Sequence, residues 1–328
     1  MSILSSLLHA SKFRNQFLRT LVPSIGLAYA LQAAVAVPST VGQSERFYDL
    51  SGSLTYISCT ALSLYLPTLR ARAAASETGA TLPPWPSLLA SLGSKGGVGA
   101  WNWRQVALSA AVTVWATRLG TFLFSRITAE EGKDSRFDSI RTSAPKFLGA
   151  FMAQATWVSL CLLPVLALNS VPATTLSALP FVTLTDVLGL ALYIGGITFE
   201  ATADKQKSDW MREKKEKKHS EEFLTRGLWS KSRHPNYFGE STLWTGIATA
   251  SAGVLCSAVG QAGMGFSGSP AARLGALSMA VVSPAFVTFL LLKVSGVPLS
   301  EVKYDKRYGD RKDYQDWKRN TPMFIPKL

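Results

Sequence analysis

The segment FLGAFMAQATWVSLCLLPVLAL, residues 147–168, contains 22 residues and no charged side chain. A helix needs about 20 apolar residues to cross a bilayer, and a helical segment satisfies its own backbone hydrogen bonds in lipid. The segment therefore predicts a transmembrane helix. Six other segments share its apolar character, so the sequence predicts an all-α, polytopic membrane helix bundle of about seven transmembrane helices. The predicted spans are about 17–37, 52–69, 105–125, 147–168, 181–200, 241–260 and 275–295.

The composition also points to a membrane protein. Hydrophobic residues make up 47% and charged residues 17% of the 328-residue chain, below the ~25% charged residues of a typical soluble domain. So much apolar surface excludes a largely disordered chain. The three cysteines, Cys59, Cys161 and Cys256, lie in apolar stretches without a CxxC motif, which excludes a disulfide scaffold and predicts no metal site. The net charge of +13 is concentrated in a few segments, which favours basic cytosolic loops over nucleic-acid binding.

The charge of the loops predicts which side of the membrane they face. Segment 201–233 carries ten basic residues and segment 126–146 carries five, whereas 169–180 carries none. Because basic loops stay on the cytosolic side, we expect 201–233, 126–146 and the basic C-terminal tail to be cytosolic. Counting the predicted spans back from 126–146 places the N-terminus and its basic residues on the non-cytosolic side, against the same rule. The topology of the first half of the chain therefore stays open. The endoplasmic reticulum is the expected membrane for a multi-spanning chain of this kind.

A polar cluster opens the sixth predicted span, in GLWSKSRHPNYFGES, residues 227–241. Pro235 fits the first turn of a helix, where its missing N–H costs nothing. The helix N-terminus suits an anion, Arg233 can pair with a phosphate, and His234 can donate from a ring nitrogen. Three further polar residues follow at the mouth of the span: Asn236, Tyr237 and Glu240. The cluster predicts a site for a diphosphate or a charged sulfonium nucleotide at the cytosolic face.

Other polar residues lie at the edges of the predicted spans. Glu200, Asp204 and Lys207 follow the fifth span at spacings of four and three, so on a helix they share one face. Arg118 lies well inside the third span, where an unpaired charge is costly, and Arg136 follows that span. The tail is rich in aromatic residues, which disordered segments lack. We expect it to fold back over the cytosolic pocket.

The polar cluster and the tail YGDRKDYQDWKRNTPMFIP, residues 308–326, together resemble the steroid 5-alpha-reductase C-terminal family. They are most similar to its multi-spanning branch, DUF1295, and the sterol C14 and C24(28) reductases share related segments. The resemblance covers 45–328 loosely and 185–328 well. It implies two parts: N-terminal spans with a Gly/Ala/Pro-rich loop over 1–104, and a reductase-like membrane domain over 105–328 whose cofactor-binding part is about 185–328.

The resemblance implies NADPH as the cofactor, held by cytosolic loops and helix ends. Asn236, Glu240 and Asp204 match the family's polar positions, and Arg118, Arg136, Tyr308 and Tyr314 resemble further ones. Together with the residues chosen for their chemistry, the predicted cofactor-binding set is Arg118, Arg136, Glu200, Asp204, Lys207, Arg233, His234, Asn236, Tyr237, Glu240, Tyr308 and Tyr314.

The catalytic residues of the family are not matched. Steroid 5-alpha-reductases use a Glu in the second span and a Tyr in the third, whereas here the second span has no Glu and Trp115 occupies the matching region of the third. This difference argues against a 3-oxo-steroid substrate. Tyr48 and Asp49, at the head of the second span, are the predicted substitutes for proton donation.

Three functions remain open. The first is an NADPH-dependent membrane reductase that acts on a C=C bond of an apolar or sterol-like lipid, with a proton from a Tyr or a carboxylic acid. The second is an S-adenosylmethionine methyltransferase of the isoprenylcysteine carboxyl type, which shares the RHPxYxG pattern and a tail Glu that Glu301 could match. The third is a non-enzymatic membrane protein. Asp204, Arg118 and Arg136 favour the reductase. The expected partners are the bilayer and the lipid substrate, without nucleic acid, and the oligomeric state stays open.

Overall fold

The computed structural model describes residues 11, 13–88, 91, 100–129 and 132–327. Within these ranges all regular secondary structure is helical, which confirms the predicted all-α fold. Part of the predicted Gly/Ala/Pro-rich loop, including 92–99, lies outside the described residues. The helix that contains the predicted span 52–69 continues to Thr78, beyond the end of that span. The loop therefore begins after Thr78.

Ten helices of seven or more residues follow one another along the described chain. They are α1 Gln16–Val41, α2 Tyr48–Thr78, α3 Trp103–Ala129, α4 Ala144–Ser170, α5 Leu184–Lys215, α6 Pro235–Leu255, α7 Ala258–Met264, α8 Pro270–Phe289, α9 Val297–Tyr308 and α10 Lys312–Asn320. A π-helical segment, Leu290–Val294, connects α8 and α9, and a 3₁₀ turn, Gly227–Ser230, precedes α6. Pro235 opens α6, as the sequence predicts.

The number of possible spans is smaller than the predicted seven. Among the described residues, five helices are long and apolar enough to cross a membrane: α1, α3, α4, α5 and the continuous stretch Pro270–Tyr308. A sixth is obtained if α6 and the short α7 form one bent span. Helix α2 has 31 residues but is rich in Ser and Thr, and it falls outside this apolar set. The count of seven is therefore not confirmed, whereas several apolar helices support a multi-pass membrane protein.

The chain divides into two compact units. The first comprises Met1–Thr183 and Ser251–Val282, and the second comprises Leu184–Ala250 and Ser283–Leu328. The division into 1–104 and 105–328 rests on the resemblance alone and stays a prediction.

In the first unit, polar side chains connect the helices. Helix α2 packs against α1, α3 and α4. Gln32 of α1 donates its side-chain amide to Thr55 Oγ1 of α2 over 2.8 Å. Asn169 of α4 donates to Ser63 Oγ of α2 over 2.9 Å and to Ser109 Oγ of α3 over 3.2 Å. Such interhelical hydrogen bonds, together with small residues, hold helices together in a membrane, which explains why α2 buries a Ser/Thr face.

In the second unit, glycines bring the backbones of α5 and α6 into contact. A Cβ on Gly196 would lie 2.5 Å from Leu243 N and 2.7 Å from Gly239 O. A Cβ on Gly189, two turns earlier, would lie 2.7 Å from Gly246 O. Small residues at these positions allow close packing without the aid of a hydrophobic effect between helices. The α5–α6 crossing therefore depends on the absence of side chains at these glycines.

Replacing one of these glycines should destabilise the second unit. We expect Gly196→Ala to lower the free energy of unfolding by about 1–3 kcal/mol, because backbone atoms cannot make room for the new methyl group. The measurement is thermal unfolding of the detergent-solubilised protein by circular dichroism. Gly195→Ala is the matched control, since a Cβ there meets nothing within 4 Å and Ala favours a helix by up to ~1 kcal/mol. Equal unfolding temperatures for the two variants would contradict this account of the crossing.

Candidate functional site

The loop that precedes α6 is attached to the polar end of α5. Trp229 Nε1 donates to the carbonyl oxygen of Ala203 over 3.0 Å, and the backbone N–H of Leu228 donates to Gln206 Oε1 over 2.9 Å. Gly227 adopts a φ of 62°, which favours glycine, and a side chain there would also collide with Gln206. These contacts bring the predicted polar end of α5 and the loop before α6 together.

Three acidic residues are buried where α5 and α6 cross. Glu200 and Asp204 of α5 and Glu240 of α6 are each less than 9% exposed. A Cβ on Gly239 would lie 2.6 Å from the backbone nitrogen of Glu200, so the two helices touch at this level. Lys207, one turn further along α5, places its ammonium 5.0 Å from the centre of the Trp229 ring. The three carboxyl groups belong to the predicted cofactor-binding set and lie near the contact between α5 and α6; their role in binding stays a prediction.

The Glu301 carboxylate of α9 accepts from three basic side chains. Arg233 Nη1 lies 2.8 Å from its Oε2, and Lys318 Nζ lies 3.0 Å from the same oxygen. His234 Nε2 lies 3.0 Å from Oε1. Neither Glu301 nor Lys318 belongs to the predicted cofactor-binding set. About 70 residues separate Glu301 from Arg233 and His234, so no local pattern in the sequence could have paired them.

The C-terminal tail runs along the segment 231–233. The N–H of Arg233 donates to the carbonyl oxygen of Pro322 over 2.9 Å, and Ser232 Oγ donates to that of Phe324 over 2.8 Å. The N–H of Lys327 donates to the carbonyl oxygen of Lys231 over 2.9 Å. The tail thus returns to the polar cluster, and the cofactor pocket that it would cover stays a prediction.

His234 is held as a neutral donor. Its ring stacks on the Tyr237 ring with a centroid distance of 5.3 Å and an interplanar angle of 4°. Burial lowers the pKa of His234 below its usual value of 6.5, and the neighbouring Lys207 and Arg233 add to this, while Glu301 opposes it. Burial has the larger effect on the pKa of His234 because the charge of Glu301 is shared with Arg233 and Lys318. The Nε2–H of a neutral His234 therefore donates to Glu301.

Arg233 Nε and Asn236 Oδ1 are buried without a hydrogen-bond partner in the described part of the chain, and within residues 227–241 the same holds for the hydroxyl of Ser241. The Arg233 side chain is only 12% exposed. An unpaired buried polar atom costs about 1–3 kcal/mol. A bound molecule with a hydrogen-bond acceptor and a donor would satisfy Arg233 Nε and Asn236 Oδ1, which fits a ligand with polar groups.

The tail tyrosines lie in an aromatic cluster with Phe223. The Tyr308 hydroxyl donates to the carbonyl oxygen of Glu222 over 2.9 Å, and the Tyr314 hydroxyl donates to Asp305 Oδ1 over 2.9 Å. Both side chains are buried. Their arrangement shapes the tail, and their predicted contact with a cofactor stays a prediction.

The remaining predicted site residues belong to the first unit. The Tyr48 hydroxyl donates to the carbonyl oxygen of Ala150 over 3.0 Å. Asp49 Oδ2 accepts from Arg136 Nη2 over 2.9 Å, and Arg136 also pairs with Asp134 over 2.8 Å. Arg118 lies partly buried in α3. The structure brings Asp49 and Arg136 together, which the sequence did not predict, and the predicted roles of all four residues stay predictions.

Comparison with known proteins gives one match. The family model described as a protein of unknown function, DUF1295, matches residues 82–263 and 267–321, more than half of the chain. No curated protein and no solved structure matches the chain. The matched ranges include α5, α6 and most of the tail, so they contain every residue of the cluster around Glu301.

The low pKa of His234 predicts a pH-dependent stability. Because the fold favours the neutral imidazole, the unfolded chain binds more protons once the pH falls below about 6.5. The stabilisation is complete above that pH and is lost as the pH falls. We expect the thermal unfolding temperature to drop more in the wild type than in His234→Gln between about pH 7.5 and about pH 5.5. Identical profiles for the wild type and His234→Gln would refute the prediction.

Proposed function

The chain belongs to the DUF1295 family of steroid 5-alpha-reductase-like proteins, and from that membership we propose that it is an integral-membrane, NADPH-dependent reductase. Its substrate would be a steroid or another apolar lipid, and the reaction would reduce a C=C bond of that lipid. The observation that carries the proposal is the concentration of polar side chains around the start of α6, with Arg233 Nε and Asn236 Oδ1 buried and unpaired.

The residues present fit the polar groups of NADPH. Its phosphates require cations, which Arg233 and Lys207 supply. Its ribose hydroxyls require acceptors, which the buried carboxyl groups of Asp204 and Glu240 supply. The free amide oxygen of Asn236 can accept from a carboxamide or a hydroxyl. When bound, NADPH supplies a hydride.

The protein itself has to orient the lipid and supply a proton. Reduction of a C=C bond adds the hydride to one carbon and a proton to the other. Tyr48 and Asp49, at the start of α2 in the first unit, stay the predicted sources of that proton. Either residue would have to exchange its present partner, Ala150 O for Tyr48 or Arg136 for Asp49, for the substrate.

The second candidate function is an S-adenosylmethionine-dependent methyltransferase. The observation that favours it is the contact of Glu301 with Arg233 and His234, which joins the tail Glu to the RHPxYxG segment. This pair of elements is the one that the chain shares with isoprenylcysteine carboxyl methyltransferases. The nucleotide that the protein binds distinguishes the two functions.

Calorimetric titration of the solubilised protein tests the choice. We expect NADPH to bind and S-adenosylmethionine not to bind. Asn236→Ala should weaken NADPH binding by about 0.5–1.5 kcal/mol, the range for a neutral hydrogen bond, with little change in thermal unfolding. Asn320→Ala, at the exposed end of α10, is the matched control and should bind as the wild type does. Binding of the methyl donor alone would overturn the reductase proposal.

We also propose that segment 201–233 and the C-terminus face the cytosol, with the endoplasmic reticulum as the membrane. Ten basic residues in 201–233 against none in 169–180 support this orientation. A glycosylation acceptor inserted at Lys218, an exposed position beyond the end of α5, should remain unmodified. The same acceptor in segment 169–180 should be glycosylated. Modification at Lys218 would show that the orientation is the reverse.

A further inference from the structure

Three basic or donor groups that converge on one carboxylate make an anion site. Arg233 and Lys318 carry positive charge, and both contact Glu301 Oε2 at 2.8 and 3.0 Å. His234 donates to Oε1 at 3.0 Å. Phosphate groups are bound by the same donor types, with Arg as the preferred partner. The Glu301 carboxylate therefore stands where a phosphate oxygen would be bound.

The Glu301 carboxylate accepts hydrogen bonds from only some of the N–H groups of these side chains. Arg233 has five N–H bonds, and its buried Nε has no partner in the described chain although Nη1 is paired. A carboxylate has two oxygens, and here Oε2 serves two cations. A phosphate group offers more acceptor oxygens in a rounder arrangement, so it can reach Arg233 Nε as well.

We infer that Arg233, His234 and Lys318 form a binding site for a phosphate group, and that Glu301 competes for these donors as an internal anion. The inference rests on the proposed function in so far as the phosphate belongs to NADPH. A phosphate group carries at least one negative charge, so it can replace the charge of Glu301 beside Arg233, while Lys318 also keeps its contact with Asp305. The Glu301 side chain retains 19% exposure, and its carboxylate can turn to water when the phosphate enters.

The site also assigns a role to Lys318, which the sequence did not single out. Lys318 is carried by α10, in the tail, while Arg233 and His234 precede α6. The tail therefore contributes a cation to the site.

Titration of the full-length protein with inorganic pyrophosphate tests the competition. Glu301→Gln keeps the size of the side chain but removes its charge, and it should bind pyrophosphate about tenfold more tightly than the wild type, in line with the loss of a charged hydrogen bond. Lys318→Gln should bind it several-fold more weakly. Asp310→Asn makes the same change in net charge at an exposed tail position, and it should change the affinity less than about twofold.

The outcomes separate this inference from the proposed function. If folded Glu301→Gln binds pyrophosphate no more tightly than Asp310→Asn, Glu301 is a structural partner of Arg233 and the inference fails, even if NADPH binds. If the Gln variant does not fold, Glu301→Asp, whose shorter side chain competes less well, should still show the gain, and its absence would also overturn the inference. Tighter pyrophosphate binding by Glu301→Gln, with no NADPH binding by any variant, would support the anion site and overturn the proposed reductase function.

Discussion

The backbone contact between α5 and α6 is the constraint on which the second unit depends. Gly196 and Gly239 let the two helices touch just before Glu200. Any side chain at these positions would separate the helices, and with them the acidic end of α5 and the polar start of α6. In a membrane, where apolar side chains gain nothing by leaving lipid for one another, such close contact is a main source of helix association. The crossing therefore positions the site.

Both units bury polar side chains. In the first unit, neutral groups such as Gln32, Thr55 and Asn169 connect the helices through hydrogen bonds. In the second unit, carboxyl groups and cations are buried close to the helix ends, and Arg233 Nε and Asn236 Oδ1 stay unpaired. Neutral hydrogen bonds serve packing at little cost, whereas buried charges cost more than they stabilise unless they have another use. The first unit also buries a charged group, Glu45, which pairs with Arg141, and it leaves Asn169 Oδ1 without a hydrogen-bond partner in the described chain. A binding site in the second unit is therefore supported by the cluster of adjacent polar side chains at the start of α6, and not by burial of charge alone.

The sequence predicts the strongly apolar helices well, because length and a predominantly apolar composition suffice for α1, α3 and α4. It gives a poorer account of α2, whose Ser/Thr face is buried against other helices, and of the span that ends at Leu255 and continues as the short α7. In the site, the run from Arg233 to Glu240 is recognisable because its polar residues are adjacent in sequence. From the sequence, Glu301 is recognisable only as a possible match to the tail Glu of isoprenylcysteine carboxyl methyltransferases, and Lys318 is not recognisable, because a tertiary contact brings both residues to Arg233.

The contacts at the tail divide into two kinds with separate roles. Backbone hydrogen bonds of Arg233 N–H to Pro322 O and of Lys327 N–H to Lys231 O hold the tail in place, and they involve no charged side chain. The Glu301 contacts are made by side chains alone: the cations Arg233 and Lys318 and the neutral His234. Because the backbone bonds do not depend on Glu301, the carboxylate can leave Arg233 and Lys318 without releasing the tail. A fixed tail with exchangeable side-chain contacts is what a site needs if it is to accept an anion and keep its shape.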